Sequence, residues 1–516
     1  MTSQSAGPQK KHERKRSLLD SDKPQKITVI VFGASGDLAK KKTYPALFGL
    51  YRNGFLPAGT QIVGYARTKM ELDEFHKRIT GFVKLPKDEQ EAAHIQKQLD
   101  EFKRICHYQS GQYDQGADFD ELNQRVRKLE MGIANANRVF YLALPPSQFI
   151  NVAAQIRKHC YAEDGENRII VEKPFGKDLD SSRELQAGLS ALFREDEVYR
   201  IDHYLGKEMV KNLLILRFAN VFFGAIWSRQ YIENVQITFK EAIGTQGRGG
   251  YFDEFGIIRD VMQNHLLQIL SIIGMERPVT LDSEDVRDEK VKLLRAIRPL
   301  ETDDVVLGQY TASADGKEEG YLDDKTVPKG SKTPTYAAAA FWINNERWEG
   351  VPFILKCGKA LNEQKTEIRI QFRDVPGSIF PGELARNELV VRVQPNEAVY
   401  MKMMNKMPGL SFDTTISELD LSYDQRYSDH KIPDAYESLI LDCLRGDHSN
   451  FVRNDELDAA WKIFTPLLHK IDAGEVDSQD YEYGSRGPER AIEFVRNLGY
   501  IRHHQQYVWN DQKGKL

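Results

Sequence analysis

The sequence predicts an α/β domain with a parallel sheet, followed by a larger α+β domain with a mainly antiparallel sheet. A continuous apolar, β-branched run at residues 27–32 suits a strand that is covered on both faces, as in a parallel sheet. Strands with clear alternation appear only after about residue 205, and the first spans residues 232–240. A chain of 516 residues, 41% of them hydrophobic, can form roughly two to four domains.

We divide the chain into a tail at residues 1–25, a first domain at 26–204 and a second domain at 205–516. The tail is rich in Ser, Lys, Gln and Arg and has almost nothing apolar to bury, so we expect it to be disordered. Its basic cluster at residues 10–16 is either a nuclear or nucleic-acid patch or solvated filler, and we favour the second.

Composition favours a cytoplasmic protein of the reducing cytosol. The four cysteines have no close pairing, so neither a zinc site nor a disulfide framework is indicated: Cys106, Cys160, Cys357 and Cys443. A net charge of −5 gives no global attraction to nucleic acid or anionic membrane. No apolar run is long enough to span a membrane, and the first 25 residues lack a secretory signal. We therefore expect no metal, no nucleic-acid partner and no membrane.

A glycine-spaced turn follows the first strand and precedes a helix-like segment in which Pro45 predicts a kink or a late helix start. Small residues let backbone N–H groups approach a diphosphate at the positive end of a helix. The spacing is weaker than the three-glycine fingerprint, but a second strand at residues 61–67 completes one βαβ unit. We thus predict a Rossmann-type dinucleotide site at Gly33, Ala34, Ser35, Gly36, Asp37 and Leu38.

The end of the second strand distinguishes NADP from NAD. An NAD site has Asp or Glu there to bind the ribose 2′-hydroxyl, whereas a 2′-phosphate is attracted by arginine. This chain has Arg67 at that position, and Ser35 offers a hydroxyl. We therefore predict NADP; the alternative is a surface arginine at a strand end.

Further strands at residues 138–144 and 168–172 continue the alternation. Ligands collect at the carboxyl ends of parallel strands, so Lys173, directly after the second of these strands, is a candidate binding residue. Lys173 could equally be a solvated loop residue.

The segment Arg-Ile-Asp-His-Tyr-Leu-Gly-Lys at residues 200–207 presents an acid, an imidazole, a phenol and an ammonium where a strand becomes a helix. The structural alternative is an ordinary connection in which Asp202 caps the helix and Lys207 is solvated. Downstream, His265 lies in an apolar helical stripe at residues 261–269, as either a satisfied core residue or a proton acceptor. Asp202 is our candidate for the carboxylate that orients it.

In the second domain, Val235, Ile237 and Phe239 share one face of the strand at 232–240, which predicts a sheet with one covered face. A glycine-rich segment at 244–250 is either a mobile lid or a long connection. Basic residues recur on later strands, which indicates a solvated face or a phosphate-rich ligand: Lys356, Lys365, Arg369, Arg392 and Lys402, with Tyr400 among them.

Four segments, at residues 33–39, 172–176, 200–207 and 247–253, resemble glucose-6-phosphate dehydrogenases of the animal or eukaryotic type, and the resemblance runs from about residue 27 to Trp509. It implies oxidation of D-glucose 6-phosphate to 6-phosphoglucono-1,5-lactone with NADP, the first step of the oxidative pentose phosphate pathway. It also implies a homo-oligomer, a dimer or tetramer formed through the second-domain sheet.

Carried onto this chain, the resemblance makes His265 the base for the sugar C1 hydroxyl and Asp202 its orienting partner. Lys173 matches a residue between sugar and nicotinamide. The remaining sugar-phosphate and hydroxyl contacts match His203, Tyr204, Lys207, Glu241, Asp260 and Lys359. A second, structural NADP is implied at Lys356, Lys365, Arg369, Arg392, Tyr400, Lys402, Asp420, Arg486 and Trp509.

Three departures from the family pattern are visible. Gln364 stands where the family often has an arginine sugar contact, Phe149 replaces an aromatic hydroxyl near the coenzyme, and residues 502–504 depart from a tyrosine position. Two alternatives stay open: an oxidoreductase for unphosphorylated sugars with a similar fold and its own Glu-Lys-Pro motif, and a catalytically silent NADP-binding sensor. Intact His265 and Asp202 argue against the sensor.

Overall fold

The structure, a computed structural model, describes residues 27–131, 136–380, 384–427, 430 and 432–503. The tail at residues 1–25 and Trp509 lie outside these residues. The chain divides into two compact units. Unit 1 comprises Met1–Val171, Leu192–Tyr199 and Tyr436–Asn450, and unit 2 comprises Glu172–Ala191, Arg200–Ala435 and Phe451–Leu516. The sequence suggested a boundary at residue 204, but unit 2 already contains residues 172–191 and 200–204. Unit 1, in turn, contains residues 436–450 from late in the chain.

Unit 1 contains a parallel sheet whose strands are mostly buried. Burial of this kind is expected because the helices that connect parallel strands lie on the faces of the sheet. Its parallel strands lie in the order β5-β4-β1-β2-β3 and are β1 (Ile27–Phe32), β2 (Gln61–Ala66), β3 (Cys106–Ser110), β4 (Asn137–Leu142) and β5 (Asn167–Val171). A sixth strand, β6 (Val198–Ile201), carries the chain into unit 2. The predicted α/β domain with a parallel sheet is confirmed.

The helices of this part are α1 (Tyr44–Arg52), α2 (Leu72–Thr80), α3 (Glu89–Arg104), α4 (Gly116–Leu129) and α5 (Phe149–Gln155). Two short π-helical stretches, Ala39–Thr43 and Ile156–Cys160, adjoin α1 and α5. Pro45 lies in the first turn of α1, where its missing N–H has no partner to lose. The regular helix therefore starts late, as the sequence predicted.

Unit 2 is built on a nine-stranded sheet in the order β14-β13-β12-β11-β7-β10-β9-β8-β16. Its pairs are antiparallel except β7 with β10 and β8 with β16. The strands are β7 (Ile232–Lys240), β8 (Val305–Thr311), β9 (Tyr336–Phe341), β10 (Phe353–Gly358), β11 (Lys365–Phe372), β12 (Glu388–Gln394), β13 (Ala398–Lys406), β14 (Thr414–Ser422) and β16 (Ser478–Glu482). A short strand, β15 (Phe451–Val452), pairs with Arg200 and Ile201. The predicted mainly antiparallel sheet is confirmed.

The remaining helices are α6 (Leu179–Ser190), α7 (Glu208–Phe218), α8 (Val221–Ile226), α9 (Gly249–Asp253), α10 (Leu267–Gly274), α11 (Ser283–Arg295), α12 (Tyr423–Arg426), α13 (Ala435–Arg445), α14 (Asn454–Asp472) and α15 (Glu489–Asn497). Of these, α13 belongs to unit 1. Across the described ranges, every helix is too short or too polar to cross a lipid bilayer.

The central strand β7 differs from the prediction of one covered face. Its apolar face packs on the helix Ile258–Leu266, but its polar face is buried as well, including Asn234 and Gln236. On the polar side Gln371 donates from Nε2 to the carbonyl of Ile501 and accepts from its N–H. The C-terminal segment thus covers a face that alternation alone marks as solvated.

The predicted helix around residue 265 is present in a widened form. Ile258–Leu266 is π-helical and runs directly into α10. Asn264 donates from Nδ2 to the carbonyls of Arg259 and Asp260 and accepts from the N–H of His265. A side chain that competes for backbone groups in this way disturbs the regular helical ladder, and π-helical turns occur often at functional sites.

Candidate active site

The segment 200–207 connects β6 to α7 by a tight turn within unit 2. Asp202 accepts at Oδ1 from the N–H of Tyr204, 3.0 Å away, so its carboxylate binds its own turn. The residue that caps α7 is Lys207 rather than Asp202. The structural alternative, in which Asp202 caps the helix, is therefore not what the fold shows.

His265 and Asp202 are brought together from two elements 63 positions apart in sequence. His265 Nδ1 lies 2.5 Å from Asp202 Oδ1, and only 3% and 2% of the two residues are exposed. The second oxygen of Asp202 is buried and has no hydrogen-bond partner among the residues that the structure describes. A carboxylate at Nδ1 selects the tautomer that carries its proton there, which leaves Nε2 with its lone pair.

The environment favours a neutral imidazole beside an ionised carboxylate. Burial, assisted by the positive charge of Lys173, lowers the pKa of His265 below its usual 6.5, although Asp202 opposes this. Burial works against ionisation of Asp202, but His265 and the N–H of Tyr204 outweigh it and hold the pKa of that carboxyl below its usual range. At neutral pH the pair is therefore ready to accept a proton.

Aromatic rings surround the histidine. Tyr204 stacks on His265 with ring centroids 4.4 Å apart, and His203 meets it edge-on at 4.5 Å. The Tyr204 hydroxyl lies 3.0 Å from Thr366 Oγ1 and accepts from Gln394 Nε2 at 3.1 Å. Lys207 places its ammonium 5.1 Å from the Tyr204 ring centre. Thr366 and Gln394 could not be identified from the sequence pattern, because they lie on distant strands that only the folded sheet brings to Tyr204.

A chain of alternating charges extends from this centre. Lys173 donates from Nζ to the carbonyl and Oδ1 of Asp260, at 2.7 and 3.3 Å. Lys359 Nζ lies 2.5 Å from Glu241 Oε2 and 3.9 Å from Asp260 Oδ2. Although burial disfavours charge, Lys173 and Lys359 lower the pKa of Asp260, and Glu241 raises the pKa of Lys359. The site thus offers fixed ammonium donors and carboxylate acceptors.

Gln364, where the family pattern has arginine, is exposed in the connection between β10 and β11.

Three side chains around the dyad could together hold a divalent metal. Asp202, His203 and His265 each offer one ligand atom, and these atoms lie within 4.8 Å of one another. The sequence predicted no metal.

In unit 1, the turn after β1 needs glycine at its first position. Gly33 has a φ of +78°, and a Cβ there would lie 2.2 Å from the carbonyl oxygen of Ala143. The N–H groups of Gly33 and Ala34 donate to the carbonyl of Tyr65 on β2. Asp37 follows the turn, and its carboxylate forms ion pairs with Lys40 and Lys41, whose ammonium groups lower its pKa to about 2.

Arg67 is exposed directly after β2, with its guanidinium 5.5 Å from the centre of the Tyr113 ring. Ser35 is linked to the same strand end, because Thr68 Oγ1 donates to its hydroxyl at 3.3 Å. Arg78 donates to the Ser35 carbonyl at 3.2 Å and adds a second positive charge at this turn. The sequence pattern does not point to Arg78, because its approach to Ser35 depends on how α2 packs.

Phe149 is fully buried at the start of α5, so its ring does not face solvent.

The basic residues of the second sheet are also largely buried. Glu367, 2% exposed, contacts Lys365 at 3.6 Å, Arg369 at 2.7 Å and Arg392 at 2.6 Å. Lys365 and Arg369 are four positions apart on β11 and therefore share one sheet face, and Glu367 lies between them on that face.

Glu388 is the second acid of this cluster, 2.7 Å from Arg369 and in register with Lys402. Tyr400 is buried opposite Asp420 on the adjacent strand. Burial and nearby cations, among them Lys365 and Arg486, lower the pKa of Lys240, which adjoins the cluster. Burial and the neighbouring cations Lys240, Arg369 and Lys365 lower the pKa of Lys356 to about 7. Burial and mutual repulsion disfavour the charges of these side chains, and a ligand that carries phosphate groups would compensate for both.

Comparison with known proteins gives a consistent result. Residues 30–212 match a family model described as glucose-6-phosphate dehydrogenase, NAD binding domain, and residues 214–508 match one described as glucose-6-phosphate dehydrogenase, C-terminal domain. Curated relatives named glucose-6-phosphate 1-dehydrogenase include those of Aspergillus niger, 60% identical over 92% of each chain, and Saccharomyces cerevisiae, 55% identical over 94% of this chain and 96% of that one.

Two solved structures are also similar. A glucose-6-phosphate dehydrogenase in complex with its substrate glucose-6-phosphate is 51% identical, with a TM-score of 0.89 over 93% of this chain and 99% of that chain. The glucose-6-phosphate 1-dehydrogenase of Mycobacterium avium is 33% identical, with a TM-score of 0.79 over 94% and 99%.

Proposed function

The chain belongs to the glucose-6-phosphate dehydrogenase family, and on that premise we propose that His265, oriented by Asp202, is the base of its reaction. The chain oxidises D-glucose 6-phosphate at C1 to 6-phosphoglucono-1,5-lactone, the first step of the oxidative pentose phosphate pathway. The contact between His265 Nδ1 and Asp202 Oδ1 carries the assignment of the base, because it joins a neutral imidazole to an ionised carboxylate.

Oxidation at C1 requires loss of the hydroxyl proton as hydride leaves the carbon. The Nε2 lone pair of His265 accepts that proton, and Asp202 stabilises the imidazolium that forms. Tyr204 packs flat against the imidazole and keeps the ring from turning. A bound dinucleotide supplies the hydride acceptor. Each turnover then returns the proton from His265 to solvent.

The charged groups around the dyad account for a phosphorylated sugar. His203, Tyr204 and Lys207 come from one turn and hold the phosphate, since charge-assisted bonds from such donors are the strong ones. Glu241, Asp260 and Lys359 hold the sugar hydroxyls, and Lys173, fixed by Asp260, lies between sugar and nicotinamide. Gln364 takes the place of an arginine, which leaves one fewer positive charge for the substrate.

NADP rather than NAD is the proposed coenzyme, held at the Gly33 turn with Ala34, Ser35, Gly36, Asp37, Leu38 and Phe149 around it. Arg67 is exposed where a ribose 2′-phosphate would be recognised, and Arg78 adds charge at the carbonyl of Ser35. Because an NAD site would need an acid at this strand end, the arginine supports NADP.

A second, structural NADP is proposed at the basic cluster of the sheet in unit 2. The residues that would hold it are those named from the sequence, among which Trp509 lies outside the described residues. Burial and the nearby cations Lys240, Arg369 and Lys365 lower the pKa of Lys356, and a dinucleotide phosphate bound there would relieve the repulsion among these cations. Bound there, it would contribute stability and not chemistry.

A homo-oligomer, a dimer or tetramer, is proposed through the β14 edge of this sheet. In the described part of the chain β14 pairs with β13 alone. Apolar side chains stand exposed on β14 and on the loop before it, at Leu410, Phe412 and Leu419. An exposed edge with apolar side chains invites pairing with a second copy. We also propose a cytosolic location, because Cys106, Cys160 and Cys357 are buried as free thiols within the described part of the chain. The domain division at residues 26–204 and 205–516 is likewise a proposal.

One assay tests the function. Reduced nicotinamide is followed by absorbance with glucose 6-phosphate or glucose and with NADP or NAD. We expect turnover that depends on the phosphate and prefers NADP. Equal turnover of both sugars would favour the oxidoreductase for unphosphorylated sugars, and no reduced coenzyme at saturating substrate would favour the silent sensor.

A further inference from the structure

The glycine-rich connection after β7 joins two groups that hold Lys359. It starts just after Glu241, whose Oε2 is 2.5 Å from Lys359 Nζ. It ends in α9, where the Phe252 ring lies 5.1 Å from the same ammonium group. The conformation of this connection therefore bears on where Lys359 points. Nothing in the mechanism above explains what fixes it.

Asp324 holds this connection from a distant part of unit 2. Its Oδ2 accepts from the Thr245 hydroxyl at 2.8 Å, from the N–H of Gly247 at 3.2 Å and from the N–H of Gly249 at 3.3 Å. Its Oδ1 accepts from the N–H and hydroxyl of Thr326, at 2.9 and 2.7 Å. The Thr326 hydroxyl in turn accepts from the N–H of Gly250 at 3.0 Å. One carboxylate thus fixes four residues of the connection, three directly and Gly250 through Thr326.

The fit of the connection against Asp324 is close. A Cβ on Gly249 would lie 2.7 Å from Asp324 Oδ2 and 2.3 Å from Val327 Cγ2. Gln246 has a φ of +47°, a left-handed conformation that a residue with a side chain rarely adopts unaided. The connection therefore depends on acceptors supplied from outside. Burial opposes ionisation of Asp324, but the donors from Thr326 and Thr245 outweigh it and lower its pKa, so the carboxylate is charged.

From this arrangement we propose that Asp324 is a positioning residue for the sugar-phosphate site. It fixes the connection 245–250 so that Phe252 and Glu241 aim the Lys359 ammonium at the substrate. The proposal rests on the proposed function of Lys359. It assigns a role to a residue that does not touch the reacting atoms, and it makes the glycine-rich segment an anchored element rather than a free lid.

The test compares Asp324→Asn with Asp323→Asn. Asp323 is the adjacent acid, and its Oδ2 accepts from the N–H of Gly320, so the same substitution there leaves the connection alone. An amide at position 324 has only one acceptor oxygen. Its NH2 group would face either the donors of the connection or those of Thr326, and the hydrogen bonds on that side would be lost. We expect Asp324→Asn to raise KM for glucose 6-phosphate about 10-fold, a typical effect of one charge-assisted hydrogen bond. The kcat and the KM for NADP should stay as in the wild type and in Asp323→Asn.

Trypsin supplies a second readout, because Arg248 lies exposed in the connection. Cleavage after Arg248 should be faster in Asp324→Asn than in Asp323→Asn, and Thr326→Val should act in the same direction if Asp324→Asn folds poorly. An unchanged KM for glucose 6-phosphate, with or without faster cleavage, would overturn the positioning role. So would a lower kcat with both KM values unchanged, which indicates fewer active molecules. Failure of the wild type to require the phosphate would instead refute the proposed function.

Discussion

The substitution Asp202→Asn examines the proposed dyad without removing the base. Asp202 Oδ1 accepts from His265 Nδ1 at 2.5 Å and from the N–H of Tyr204 at 3.0 Å. An amide keeps the shape of the side chain but loses its charge, because its oxygen can take the place of Oδ1 while a neutral NH2 group replaces the buried Oδ2. The imidazolium formed during proton transfer then has no anionic partner in a buried site.

The magnitude follows from the negative charge that this hydrogen bond loses. A hydrogen bond to a charged group contributes about 1.5–3 kcal/mol, and about 1.4 kcal/mol corresponds to tenfold in rate. We therefore expect kcat to fall roughly 10- to 100-fold. The carboxylate also raises the pKa of His265 against burial, so in the variant that pKa falls further and the acid limb of kcat/KM moves to lower pH.

The assay is a profile of kcat/KM with glucose 6-phosphate from about pH 5 to 8, the range in which histidine titrates. The matched control is Asp120→Asn, because Asp120 forms an exposed contact with His159 Nδ1 at 2.7 Å. The control should keep the wild-type profile. An acid limb of Asp202→Asn that stays in place or moves to higher pH would refute the electrostatic reasoning.

Three further predictions follow from the coenzyme sites and the sheet edge. Arg67→Asp should lower the ratio of kcat/KM for NADP to that for NAD about 10-fold or more, as loss of a charge-assisted contact implies; an unchanged ratio would remove Arg67 from this role. Because the pKa of Lys356 is lowered to about 7, it is mostly neutral at about pH 8.5, and an anion that raises its pKa should cause proton uptake. Calorimetry of NADP binding in two buffers of different ionisation enthalpy measures this, with Lys356→Met as the variant that should abolish it; equal heats in the wild type would contradict it. Leu419→Lys should shift the oligomer toward monomers in light scattering while keeping turnover, and an unchanged mass would place the interface elsewhere.

The sequence predicted those elements best whose pattern depends on local burial. β1 and β7 have the predicted bounds, and β2 ends one residue before the predicted end, at Ala66. β1 and β2 are mostly apolar and β7 alternates from Val235 to Lys240, so propensity and tertiary packing agree. The helical stripe around His265 was also predicted, but not its widened form, which involves the side chain of Asn264.

Contacts between distant polar residues were the part that the sequence could not supply. The acids Glu241 and Asp260 converge on Lys359 from separate elements, and Tyr204 finds Thr366 on β11. No periodicity encodes such pairs, because they depend on strand order and register. The buried polar face of β7 has the same origin, since it is covered by a segment near the C-terminus, whose Ile501 lies 130 residues after its hydrogen-bond partner Gln371.

The most direct test of the central claim is the steady-state kinetics of His265→Gln with glucose 6-phosphate and NADP. General-base catalysis contributes about 10²- to 10⁴-fold, so kcat should fall by that amount while KM for the sugar phosphate changes little. A variant that keeps its kcat and shows only a raised KM would mean that His265 binds the substrate and that another group takes the proton.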